Sequence, residues 1–395
     1  MNTFQGDCVR ENNKLQIGGL LALASAAFIT LLTEIVPAGL LSKIALSLET
    51  NESIVGQFIT TYALGAMIAA IPITLLTHKL RRRPLLLFAV TGFAAVNLVT
   101  AFSHNVTLSL IARFIAGMLG GLIWSLLAGY AVRMSPPHLS GKAIAISGSG
   151  ATLALVLGVP LGSFISNFIT WQGIFILISL LCIILTFWII HKVPDFPGQK
   201  ESTALSTMSA LANKNILSLL FIVFTLIVAH NLLYIYIEPF LSISGLAPQV
   251  DQVLFVFGIG SLLSLWFTGM LVDKKPVFML ILSILFFTFA SYLMRYYANN
   301  SLGIYNSVVI WGIGIGGFAA ITQMILARLS GKNVDLAQAV YTTSWNCAIS
   351  VGGISGGILL EHGDIYTFPL IALGILAVSL FSAVNLYFRL KEERE

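Results

Sequence analysis

The sequence predicts an all-α membrane protein: twelve transmembrane helices in two six-helix bundles, with both termini cytoplasmic. Three observations lead there. Apolar residues make up 57% of the 395-residue chain and charged residues only 9%, with mean hydropathy +0.93, against roughly 25% charged in soluble domains. A soluble fold of this composition would have no polar skin. Blocks of about 20 apolar residues, each long enough to cross a bilayer, recur about twelve times. Between them, the segment 192–213 carries two prolines, a glycine and several charges, and it divides the blocks into two equal sets.

The expected spans are 16–42, 53–78, 84–103, 106–133, 140–167, 171–191, 214–242, 250–273, 276–297, 303–328, 335–360 and 365–389. They define a cytoplasmic tail at 1–15, an N-terminal bundle at 16–191, a cytoplasmic linker at 192–213, a C-terminal bundle at 214–389 and a tail at 390–395. The tail MNTFQGDCVRENNKLQ is polar and runs into a full-length span, so it reads as neither a cleaved signal nor a lipoprotein leader. The first helix ends in IVPAGLLSKI and the seventh in YIEPFLSISG, each a proline followed by leucine and serine, a trace of an internal repeat. The second helix ends in the basic run Lys79-Leu-Arg81-Arg82-Arg83, and the eighth in Gly269-Met-Leu-Val-Asp273-Lys274-Lys275. In the fifth, SGSGATLALVLGVPLG (Ser147–Gly162) lines small residues along one side, where a neighbouring helix can approach closely. Pro160 removes a backbone donor and bends it.

Cation placement supports this layout. Of 21 Lys and Arg, the outer loops keep only Lys43 and Arg295, Arg113 falls inside the fourth helix, and all the others sort to cytoplasmic segments.

Ionisable residues at membrane depth are costly, roughly 2.5–3.5 kcal/mol on insertion scales, and face a partner or water. Glu34 lies about two-thirds of the way across the first helix, beside Pro37. A carboxyl group in a dry cavity can take and release a proton as water access changes; Glu34 reads as a proton-coupling or substrate-binding acid, or as an acid satisfied near the outer surface. In the seventh helix His230, Tyr234 and Glu238 recur every four residues and share a face. With Asn231 they form a polar stripe suited to hydroxyl-rich or aromatic ligands; alternatively Glu238 sits in the headgroup layer and His230 in an interhelical bond. Arg113 opens Arg113-Phe-Ile-Ala-Gly117-Met-Leu-Gly120-Gly121 and needs a carboxylate or several carbonyls. Glu34 is the nearest acid in topology. Trp124, Trp311, Gln323, Trp345 and Asn346 lie in glycine-rich helices as lesser candidates for packing or substrate contact.

Gly158-Val-Pro160-Leu-Gly162, with Trp171-Gln172-Gly173-Ile174-Phe175 after it, resembles the fifth-helix antiporter motif of the major facilitator superfamily, although Gln172 stands where that family has Arg. The two basic loops resemble its loop motif: Lys79, Arg82 and Arg83 in the first copy, Gly269 and Asp273 in the second. The first copy has Thr74 and His78 in place of the expected Gly and Asp. Thr33-Glu34-Ile-Val-Pro37-Ala-Gly39, Ile123-Trp124-Ser125 and Tyr236-Ile237-Glu238-Pro239-Phe240 are similar to the bacterial sugar efflux transporters of the drug:proton antiporter group. That resemblance implies a cavity lined by helices one, four, seven and ten, with Glu34, Arg113 and Glu238 in proton coupling. His230, Asn231, Tyr234, Trp124, Gln323 and Asn346 would contact substrate. Gly158, Pro160 and Gly162 would serve conformational change. The implied function is proton-coupled efflux of small sugars such as arabinose and thiogalactosides across the inner membrane; sister branches export drugs or purines.

Other classes find no support. There is no Walker loop or HExxH, so ATP is not the energy source and no catalytic centre is expected. Cys8, Cys182 and Cys347 lie far apart without metal-ligand spacing, so neither metal nor cofactor is expected. The basic residues sit in short interhelical loops, which orient a membrane protein and do not form a nucleic-acid surface. The expected partners are protons, a small solute and lipid, with the chain as a monomer.

Overall fold

Without water to bond them, the backbone groups of an apolar span must be satisfied within the span, and helices result. The computed structural model describes residues 15–70, 72–77, 79–136, 139–198, 213–272, 275–330 and 334–392. In order these form α1 (Ile17–Ile35), α2 (Leu41–Ser47), α3 (Glu52–Ala70), α4 (Pro72–Thr77), α5 (Arg82–Phe102), α6 (Val106–Arg133), α7 (Ser140–Leu153), α8 (Val159–Ile165) and α9 (Trp171–Lys192). The second half supplies α10 (Lys214–Tyr234), α11 (Ile237–Leu241), α12 (Val250–Leu271), α13 (Pro276–Tyr296), α14 (Ser301–Gly316), α15 (Phe318–Ser330), α16 (Val334–His362) and α17 (Phe368–Glu392). No strand occurs among the described residues.

Ten stretches of the described residues are long and apolar enough to cross a membrane. The expected spans 53–78 and 335–360 are helical, as α3 with α4 and as α16, but are not among those ten. These two helices pack on each other, and residue 71 in the first and residues 331–333 before the second lie outside the described residues. The expected boundary at 192–213 lies mostly outside the described residues, as do His78, Asp273, residues 1–14 and residues 393–395.

Several expected helices are broken, and each break has a cause in the sequence. Proline offers no N–H to the carbonyl four residues back. At Pro37, α1 gives way to a 3-10 turn over Val36–Gly39, so Glu34 sits in the last turn of α1. At Pro160, the helix widens into a π-turn over Ala154–Gly158 before α8 resumes. Before Pro239, α10 stops and the short α11 begins. The tenth expected span divides at Gly316-Gly317 into α14 and α15.

The pairings repeat between the halves. α3 packs on α6 as α12 does on α14; α5 packs on α9 as α13 does on α17; α1 packs on α7 as α10 does on α16. Glycine makes the first pairing close in both copies. A Cβ on Gly117 would strike the carbonyl of Tyr62, and one on Gly312 the carbonyl of Phe257. Across the halves, α3 meets α16, and α8 with its π-turn meets α12.

The face on which α1 begins and α17 ends is the terminal face. There the segment after α9 straps the first basic loop: Asp195 pairs with Arg81 Nε at 2.6 Å and accepts from the Arg83 amide at 3.1 Å. The Arg82 amide donates to Phe196 O at 2.9 Å, and Arg133 Nη1 to Pro197 O at 3.0 Å.

Gly117→Leu forces α3 and α6 apart along backbone and is expected to cost ~1–3 kcal/mol or more. Reversible unfolding in mixed detergent micelles checks it, with Gly129→Leu, whose Cβ would meet open space, as the tolerated control.

Candidate functional site

The N-terminal half buries Arg113 completely, and no carboxylate pairs with it among the described residues. Neutral oxygens hold it instead. Nη2 donates to Asn97 Oδ1 at 2.6 Å and Thr100 Oγ1 at 3.1 Å; Nη1 donates to Thr33 O at 3.3 Å. That third acceptor follows from the proline, because Thr33 is four residues before Pro37 and its carbonyl receives no amide from there. Phe175 covers the guanidinium, with Cζ 4.8 Å from its ring centroid, a cation–π contact strengthened by desolvation. Trp171 stacks edge-on against Phe175 at 5.9 Å and sets its place. Only Nε lacks a hydrogen bond.

Glu34 follows Thr33 directly in the sequence and is buried, 8% exposed. It makes no hydrogen bond or ion pair with the described residues. Tyr62 of α3 lies within electrostatic reach of both Glu34 and Arg113 and donates to Thr30 O at 3.3 Å. The result is a fixed positive centre held by neutral groups, with an acid unengaged among the described residues one position along α1 from one of its acceptors.

In the C-terminal half, His230 and Tyr234 stack at 5.1 Å, one helical turn apart on α10. They belong to a five-ring cluster with Phe257, Phe287 and Trp311. His230 stands 5.3 Å from Trp311 and 6.0 Å from Phe257; Trp311 stacks on Phe287 at 5.8 Å. His230 Nδ1 and Trp311 Nε1 are buried without a hydrogen-bond partner, while the imidazole as a whole is half-buried. Each such donor or acceptor carries a cost that a ligand can relieve.

Toward the face opposite the termini, hydrogen bonds join the halves. Glu238 Oε2 accepts from the Ser42 amide at 3.1 Å, and the Ser42 hydroxyl donates to Glu52. Ser53 donates to Gly357 O at 2.9 Å. Gln57 Nε2 donates to Tyr236 Oη at 3.2 Å and to Gly353 O at 3.3 Å. Ser350 donates to Thr60 O at 3.5 Å. Deeper in the same seam, Gly258 approaches the carbonyl of Val156 in the π-turn.

The sequence candidates thus fall into separate places. Glu34 and Arg113 share a neighbourhood without pairing. His230 and Tyr234 meet, but Glu238, a turn further on, belongs to the seam. Asn231 and Asn346 turn back to carbonyls of their own helices, Ile227 O and Thr342 O. Gln323 is exposed, Trp124 half-buried against the core. Gly158 and Gly162 face Leu32 and Val36 of the first membrane segment. Lys79 and Gly269 are exposed, and Asp273 lies outside the described residues. Asn97, Thr100, Tyr62, Gln57 and Tyr236 are additions from the structure. A polar pair three residues apart in the apolar α5 is the signal that would have found Asn97 and Thr100. Among the described residues no three His, Cys, Asp or Glu gather as a metal site.

Helices of this length and apolarity, paired in repeated halves around buried polar centres, define a multi-pass membrane transporter. Residues 23–333 and 249–395 match the Major Facilitator Superfamily, and the chain belongs to it. A probable sugar efflux transporter of Mannheimia succiniciproducens is 30% identical over 381 residues, covering 95% of this chain and 96% of the relative. One from Helicobacter pylori strain G27 is 28% identical, covering 95% and 97%; another from Haemophilus influenzae strain PittGG is 28% identical, covering 95% and 96%. Among solved structures, the nucleoside transporter NupG superposes with TM-score 0.74 at 15% identity, covering 94% of this chain and 100% of that one.

Asn97→Leu strips Arg113 of its shortest hydrogen bond and is expected to destabilise the protein by ~1.5–3 kcal/mol. Asn97→Asp, which keeps an acceptor there, is expected to recover most of it. Unfolding midpoints in detergent compare the three.

Proposed function

We propose that this protein is a secondary active exporter of the inner membrane, exchanging outward-moving small sugars or sugar-like solutes such as arabinose and thiogalactosides for incoming protons. In this reading twelve spans form two six-helix bundles, the terminal face lies in the cytoplasm, and the working unit is a monomer. The bundles rock about a site near the midplane. With the seam closed toward the opposite face, the cavity would open to the cytoplasm and receive cargo there.

The observation that carries the coupling is Glu34: a buried acid without hydrogen-bond or ion-pair partner among the described residues, one residue along α1 from a carbonyl that holds the Arg113 guanidinium. Such an acid binds a proton when the cavity dries and releases it when water returns, because desolvation disfavours the charged form. Arg113, already satisfied by Asn97, Thr100 and Thr33, does not lock the carboxylate in an ion pair. Glu238 contributes a second titratable acid, on the seam, where protonation would weaken its acceptance of the Ser42 amide. Cargo identity rests on the names of the full-length relatives. His230 and Tyr234 supply an aromatic face for the C–H side of a sugar ring, and His230 Nδ1 and Trp311 Nε1, buried without a hydrogen-bond partner among the described residues, supply polar contacts for hydroxyls. The same five rings would suit a planar base, so purine or nucleoside export is the second reading; a multidrug or chloramphenicol-type exporter shares the fold.

Inverted vesicles loaded by an imposed pH gradient provide the test. Glu34→Gln is expected to abolish the dependence of radiolabelled arabinose or thiogalactoside transport on the gradient, a drop of at least roughly tenfold, equivalent to ~1.4 kcal/mol, while sugar binding persists. Gradient-driven transport equal to the parent protein's would refute Glu34 as the coupling acid. Transport of nucleosides or chloramphenicol but no sugar would replace the cargo.

A further inference from the structure

Neither the Arg113 centre nor the ring cluster uses the polar residues at the rim of the seam, on the face opposite the termini. A cavity of about 240 Å³ opens between the halves there. From the N-terminal half it is lined by Lys43, Ser163 and Asn167, and from the C-terminal half by Glu238, Pro248 and Asp251. Glu238 forms its buried floor, 9% exposed, while Lys43, Asn167 and Pro248 are exposed at its mouth.

The lining is arranged, not only polar. An ammonium has three N–H donors, and Lys43 Nζ makes three bonds: Ser166 O at 3.1 Å, Ser166 Oγ at 2.7 Å and Asn167 Oδ1 at 2.7 Å. Lysine therefore works here as a brace. It occupies the carbonyl of Asn167 and leaves the amide NH2 as a donor. Opposite stand the carboxylates of Glu238 and Asp251. Glu238 accepts one backbone amide, and a carboxylate has about four acceptor positions. Donors on one wall and carboxylates on the other match vicinal hydroxyls, each of which both gives and accepts.

Size and charge narrow the class. The cavity falls below the ~300–1,000 Å³ typical of sites for drug-sized ligands. Two carboxylates against one ammonium leave the lining net negative, which disfavours sugar phosphates and other anions. A metal cation would meet the ammonium and the amide donors on one whole side. We propose that this cavity is a second, exit-side binding site for a neutral polyol of monosaccharide size, separate from the His230 stripe. Cargo leaving the midplane would pause there, where its hydroxyls bridge the two halves beside the Ser42–Glu238 contact. The proposal rests on the reading of this protein as a sugar exporter.

A cysteine at the mouth tests it. Pro248→Cys, with Ala247→Cys as the alternate should the first not fold, is reacted in whole cells with a membrane-impermeant maleimide, against the parent protein. L-Arabinose and isopropyl-thiogalactoside are the probes, and export of the same sugars is measured in the same cells. Expected are labelling from outside and slowing of that labelling by sugar. Asp251→Asn in the same background is expected to raise the sugar concentration needed for protection roughly tenfold. Labelling unaffected by sugar in a variant that still exports it would overturn the exit site and leave the exporter reading intact. Protection insensitive to Asp251→Asn, or protection by magnesium or calcium in place of sugar, overturns it too. Absence of both sugar export and protection would remove the exporter reading and the site together.

Discussion

A guanidinium placed at membrane depth without a counter-ion among the described residues constrains everything around it. Burying an unpaired charge is prohibitive, so Arg113 must gather neutral acceptors from three helices: Asn97 and Thr100 on α5, Thr33 on α1, and the face of Phe175 on α9. Those contacts link α1, α5, α6 and α9. They also leave Glu34 unengaged among the described residues.

Proline and glycine act together in this chain as a device for exposing carbonyls. Pro37 frees the oxygen of Thr33 for Arg113. Pro160 follows the π-turn over Ala154–Gly158, and Gly258 of the other half closes against the Val156 carbonyl within it. In water such breaks would merely weaken a helix; in lipid the freed oxygen demands a partner, so each break specifies where another helix must come. The π-turn over Ala154–Gly158 belongs to this logic, since π-turns recur at functional places in helices.

The seam has a different chemistry from the bundles. Within each half, apolar side chains and glycine contacts hold helices for good. Between the halves, α3 and α16 meet through hydroxyls, an amide and glycines: Ser53, Gln57, Thr60, Gly353 and Gly357. A seam of a few hydrogen bonds, each worth ~0.5–1.5 kcal/mol net, can open and close with modest changes in free energy.

The sequence alone determined the membrane as solvent, the helical class and the approximate spans, because bilayer thickness and backbone satisfaction leave few alternatives to a run of apolar residues. It also exposed the rare charges, Glu34, Arg113 and Glu238, as places where chemistry had to be accommodated. Their partners were beyond it. Asn97 and Thr100 lie more than a dozen residues from Arg113, and Ser42 lies nearly two hundred from Glu238; periodicity places a residue on a helix face but not against another helix. Only the packed structure decided that Arg113 is held by neutral oxygens, that Glu238 sits on the seam and not in the His230 stripe, and that Asp195 supplies the carboxylate to the first basic loop. Such contacts depend on which helices become neighbours, and that is set by the joint packing of all of them.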